Sequence, residues 1–215
     1  MTESCDMWGT TFRPNGLQAA SDGLWVMAQS AGEDTDQHIY KLRYEDGSLI
    51  SKVPTDAVHA SGVTEGGGYL WATGGDDLLR LNYDGSTSET FLAPGGQGAH
   101  GVEWVDDHNM WVVEPVAHKA HLVVPETMEL KRSIMLPGGE HLTPHGIFYY
   151  DNALWCGTTE RGGGGTIYKL DPHTGDVLQQ IQVNRPEIHG MTRRDDDIWF
   201  CCAETYRVCT VPLPA

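Results

Sequence analysis

Apolar residues in this chain come in short runs, separated by stretches rich in Gly, Asp, Asn and Pro. Five times an apolar residue is followed by tryptophan: Leu24-Trp25, Leu70-Trp71, Met110-Trp111, Leu154-Trp155 and Ile198-Trp199. A glycine precedes each tryptophan by nine or ten residues: Gly16, Gly62, Gly101, Gly146 and Gly190, at intervals of 46, 39, 45 and 44 residues. A period of about 40–45 residues with several short strands per unit is the signature of a propeller.

The fourth unit shows the layout. Gly146 to Tyr150 reads as a first strand, closed by the turn Asp151-Asn152. Ala153 to Thr158 is the second strand and carries Trp155. Thr166 to Leu170 is the third. Asp171 to Asp176 is a turn built from residues suited to one, and Val177 to Val183 is the fourth strand. The fifth unit lacks its fourth strand, whereas a spare apolar piece, Cys5 to Phe12, precedes the first. Borrowing that piece closes the ring and removes an exposed edge. No segment longer than a turn has a 3.6-residue period, so almost no helix is expected. The prediction is an all-β, five-bladed propeller of four-stranded blades spanning 1–215 as one domain. The regular period argues against an open sandwich.

The residue before the blade-start glycine changes the picture. It is histidine in the last three units: His100, His145 and His189. The first two units have Asn15 and Ser61 there, with His59 two residues early. In a propeller the first strand of each blade lines the central channel, so these histidines should converge at one mouth. Glu114, Glu160 and Glu204 follow the tryptophan strands and are expected on the same rim; whether Glu103 joins them is open. Imidazoles and carboxylates together suit a divalent cation, or a general acid and base with pKa values moved by burial. A histidine that merely bonds the backbone at each blade junction would recur in the same way. The tryptophans read as packing between blades.

Other stretches carry less. Gly162 to Gly165 lacks the lysine and the strand-to-helix setting of a phosphate loop, and reads as a loop beside Glu160 able to act as a lid. Asp195-Asp196-Asp197 reads as a solvated turn on the opposite face. The hydrophobic set is 40% and charged residues 20%, which is a globular composition. A formal net charge of −16 argues against nucleic acid or anionic lipid as partners and favours a bound cation. The five cysteines are odd in number, without a Cys-x-x-Cys pair, which suggests a reducing compartment. With no apolar leader at Met1 to Thr10 and no membrane-length apolar run, a cytoplasmic protein is expected.

Pro144-His145-Gly146-Ile147 with Leu154-Trp155, and His189-Gly190-Met191 with Ile198-Trp199, resemble the virginiamycin B (streptogramin) lyase propellers. The run Ile167 to Gly175 is similar to that group and to the gluconolactonase-like and NHL-type propellers. The resemblance covers nearly the whole chain. It implies catalysis by His145, His189 and Glu204, beside a bound magnesium, in an elimination that opens a cyclic ester. The chain departs from the lyases in blade number, five against seven. His100 adds a third imidazole, and a His-rich set (His100, His145, His189, Glu204) would suit zinc, nickel or iron better than magnesium. The expected function is a metal-assisted lyase acting on a small-molecule substrate. A metal-dependent hydrolase or lactonase, an isomerase or cyclase, and a non-catalytic propeller binding a ligand or protein are the alternatives.

Overall fold

The computed structural model describes residues 2–29, 37–160 and 164–214. Five four-stranded antiparallel sheets form a five-bladed β-propeller, and there is no helix among the described residues. After β1 (Cys5–Gly9), blade 1 is β2 (Arg13–Ala20), β3 (Gly23–Gln29), β4 (His38–Leu42) and β5 (Leu49–Pro54). Blade 2 is β6 (Ala60–Gly66), β7 (Tyr69–Gly74), β8 (Asp77–Leu81) and β9 (Thr87–Leu92). Blade 3 is β10 (Val102–Asp106), β11 (Asn109–Glu114), β12 (Lys119–Val123) and β13 (Leu130–Met135). Blade 4 is β14 (Leu142–Tyr150), β15 (Ala153–Glu160), β16 (Thr166–Leu170) and β17 (Val177–Gln182). Blade 5 has three strands of its own: β18 (Met191–Arg194), β19 (Asp197–Cys202) and β20 (Arg207–Pro212).

The N-terminal strand completes blade 5, as expected. The sheet order is β1-β20-β19-β18, with Cys5 opposite Thr210 and Gly9 opposite Arg207. The Trp8 indole N–H donates to the Tyr44 carbonyl at 3.2 Å and ties the closing strand to blade 1. Without this strand, β20 would present a row of unpaired backbone groups.

The core consists of five wedges, one between each pair of neighbouring blades. Trp25 and Met27 of blade 1 pack with Val63, Leu70 and Ala72 of blade 2. The last wedge joins blade 5 to blade 1 through Trp199, Cys201, Leu17, Leu24 and Trp8. The five repeat tryptophans are all buried, which is the packing role expected of them. Each removes on the order of 150–250 Å² from water, about 4–6 kcal/mol gross at ~25 cal/mol per Å² before entropy is charged against it.

The repeat glycines have a steric cause. A Cβ at Gly62 would collide with the His100 carbonyl, and one at Gly101 with the His145 carbonyl. Gly16 and Gly146 face the next blade's carbonyl in the same way. This is the level at which the inner strands come closest, so only a backbone without a side chain fits. The pairing register shifts at Pro14/Gly16, Ala60/Val63 and Pro144/Ile147, so the strands of blades 1, 2 and 4 are bulged there. Bulges re-aim the side chains they carry. One residue below the glycines lies an apolar ring: Leu17, Val63, Val102, Ile147 and Met191, all buried.

Candidate metal and acid–base site

The three histidines meet. Their ligand nitrogens all lie within 4.8 Å of one another. The His145 ring centroid is 4.4 Å from that of His100 and 4.4 Å from that of His189, and the His100–His189 separation is 5.5 Å. His189 is buried, whereas His100 and His145 keep part of their surface open. The cause is the ring of close approach: the glycine pins each strand to its neighbour, and the residue before it is the first whose side chain can enter the channel.

The residue two places earlier supports this ring. The Nδ1 of His145 lies 3.1 Å from the Thr143 carbonyl. A carbonyl only accepts, so Nδ1 carries the proton and Nε2 keeps its lone pair. The Nδ1 of His189 is 3.1 Å from Glu187 Oε2, an ion-pair contact that is not aligned as a hydrogen bond. The Ser61 hydroxyl donates to the His59 carbonyl at 3.0 Å, which repeats the relation in blade 2. Counting three residues back from each glycine gives the outermost ring: Arg13, His59, Gly98, Thr143 and Glu187. It carries a guanidinium and a carboxylate on adjoining blades. One Arg13 terminal N–H donates to Gln29 Oε1 at 2.7 Å.

Electrostatics keeps His100 and His145 neutral. Burial, and then the neighbouring His145 and His189, hold the His100 pKa well below its usual value. Burial and His189 take His145 down to about 3. Burial by itself would raise the Glu187 carboxyl, but its contacts with His189 and the Glu204 amide lower it on balance, so it stays ionised. Neutral imidazoles at His100 and His145, with an ionised carboxylate beside His189, are states a metal site can use. An ion with bonds of about 2.1 Å spans nitrogens up to about 4.2 Å apart. Binding one would draw the rings inward by a fraction of an ångström.

The carboxylates expected on the rim are placed differently from one another. Glu204 is exposed in the turn 203–206, and its amide donates to Glu187 Oε1. The metal-competent group among the described residues is His100, His145 and His189. The carboxylate at His189 is therefore Glu187, which the sequence reading did not single out. Its signal was positional: three residues before a blade glycine, where Arg13 also stands. Glu160 ends β15 and is exposed. Glu114 is buried and bonded to His121, at 3.0 Å. Glu103 points to the neighbouring inner strand, where its Oε1 accepts the Tyr149 N–H at 3.2 Å. Residues 161–163 of the proposed lid lie outside the described residues.

This site sits at the mouth of a five-bladed β-propeller, and the comparisons place that fold among propellers that include enzymes. Myxococcus xanthus glutaminyl cyclase is similar over 100% of this chain and 99% of its own, with a TM-score of 0.72 and 12% identity. Virginiamycin B lyase from Staphylococcus aureus is similar over 94% of this chain and 66% of its own, with a TM-score of 0.57 and 19% identity. A luciferin-regenerating enzyme matches over 92% of this chain and 76% of its own, with a TM-score of 0.59 and 11% identity. No family model matches the chain, and no curated protein does. No described helix is long and apolar enough to cross a membrane.

Proposed function

We propose that the protein is a metal-assisted acid–base enzyme acting on a carbonyl group of a small molecule at the histidine mouth. The observation that carries this reading is the convergence of three imidazoles with an ionised carboxylate, Glu187, 3.1 Å from His189. His100, His145 and His189 would hold a divalent ion. Three nitrogen donors favour zinc, nickel or iron over magnesium, a hard ion that prefers oxygen. When bound, such an ion supplies Lewis acidity to a carbonyl oxygen.

The chain's own groups do the rest. Thr143 and Glu187 orient His145 and His189 from behind. Glu187, ionised and largely buried beside His189, takes a proton from the carbon next to the carbonyl or from an attacking amine. Arg13, on the adjoining blade, attracts an anionic substituent and orients the substrate between two opposite charges. Elimination that opens an ester ring, as in a lyase, uses the first proton transfer. Ring closure by an amine, as in a cyclase, uses the second. The likeness to a glutaminyl cyclase along its full length favours the cyclase reading.

Product mass separates the two. Zinc-loaded protein is incubated with a peptide bearing an N-terminal glutaminyl residue and, separately, with quinupristin. Cyclisation releases ammonia and lowers the mass accordingly. Elimination opens the depsipeptide ring with no change in mass, and hydrolysis adds one water. Turnover of either substrate that is lost in His189→Ala and Glu187→Gln supports the acid–base reading. Turnover unchanged in both variants would sink it.

A further inference from the structure

Asn15 occupies in blade 1 the position that His100, His145 and His189 occupy in blades 3 to 5. It has no exposed surface. Its Nδ2 donates to the Ala60 carbonyl at 3.0 Å, and its Oδ1 has no hydrogen-bond partner. The orientation is fixed by chemistry: a flipped amide would set oxygen against the Ala60 oxygen, two acceptors with no proton between them. Leaving a buried acceptor unpaired is costly, so such an atom in a well-packed ring calls for a ligand.

The space beside it is the channel. A small cavity of about 10 Å³ is lined by Asn15, His100 and His189, together with the ring glycines and the apolar ring beneath them. That is room for one ion or one water at most. The apolar residues offer no polar partner. The polar side chains that line the cavity are therefore those of Asn15, His100 and His189.

We propose that Asn15 is the fourth member of the histidine site, its Oδ1 serving as the oxygen donor to the cation that the three imidazoles hold. This rests on the metal reading above. An amide oxygen in place of a fourth imidazole keeps the net charge of the ligand set at zero, and it leaves the outer side of the ion to the substrate. Ser61, at the fifth position, donates its hydroxyl to the His59 carbonyl and does not line the cavity.

The experiment measures zinc affinity by chelator competition and the visible spectrum of the cobalt-loaded protein. The proteins are wild type, Asn15→Leu, Asn15→Asp and Ser61→Ala, each first shown to be folded by circular dichroism. The expected result is a tenfold or greater loss of affinity and an altered cobalt spectrum in Asn15→Leu. Asn15→Asp, which keeps an oxygen, retains or strengthens binding, and Ser61→Ala matches wild type. Equal affinity and equal spectra in wild type and Asn15→Leu overturn the assignment while leaving the three-histidine site intact. If Asn15→Leu does not fold, loss of binding in Asn15→Asp overturns it instead. A wild-type protein that binds neither ion would overturn the metal reading, and this inference with it.

Discussion

Among the described residues, two places bring histidine and glutamate together, and they are built in opposite ways. In blade 3, His121 is buried with both ring nitrogens occupied. Its Nδ1 lies 2.8 Å from the Ser133 hydroxyl and its Nε2 3.0 Å from Glu114 Oε2. Cross-strand register sets these partners on one face of the sheet, because His121 pairs with Val112 on one side and Ser133 on the other. Gly95, at a φ of +90°, lies against the Glu114 carboxylate and covers it. At the channel mouth, three histidines crowd one another, and none has both ring nitrogens engaged by the protein. Residue type is shared; valence is not. A histidine whose two nitrogens are both taken is packing, and one with a ring nitrogen left open beside two others is available to a ligand.

Metal binding breaks or upholds this contrast most directly. Alanine at His100, His145 or His189 should each cost more than the ~10–100-fold in metal affinity typical of outer-shell partners, whereas His121→Ala should leave affinity unchanged. Elemental analysis after dialysis against a weak chelator reads the difference. Equal metal content in all four variants would erase the distinction between the two places.

Stability gives the reverse test, with a smaller effect. His121→Ala strands the buried Glu114 carboxylate, and breaking a buried pair in this way costs about 3–5 kcal/mol. Urea unfolding of the metal-free proteins should show that loss in His121→Ala and much less of it in His145→Ala, which relieves a crowded imidazole. A stability loss confined to the channel variants would invert the comparison.

Glu103 sharpens it with the smallest expected effect. Burial raises its pKa to about 8, against which the Tyr149 N–H acts only in part. The folded state then holds a proton that the unfolded chain, near 4.5, releases. This contribution to stability is complete below the unfolded value and declines as pH rises through the folded one. Glu103→Gln keeps an acceptor for Tyr149 and should flatten the decline between pH 5 and 9 in urea unfolding. An unchanged slope would place the titration elsewhere.

The repeat layout was legible because each blade restates the same physics. An apolar strand, an inward tryptophan and a turn return at a nearly fixed interval, and Cys5–Gly9 could be assigned to blade 5 by counting strands. The histidine convergence was legible for the same reason, since a residue fixed relative to the ring glycine has a fixed place in the channel. Glu187 escaped because the residue three places before the ring glycine differs in type in every blade (Arg13, His59, Gly98, Thr143, Glu187), so no recurring residue marked the position. The emphasis on Glu204 came from the resemblance to the lyases; in the structure the chain turns at 203–206, where Glu204 is exposed and Tyr206 adopts a φ of +56°. Asn15 escaped because its type differs from its ring mates, although its position does not.

The apolar ring of Leu17, Val63, Val102, Ile147 and Met191 both lines the small channel cavity and reaches into the wedges between the blades. Each member belongs to a different one of the five wedges, so a change in the bore at this level is felt in the packing between two blades.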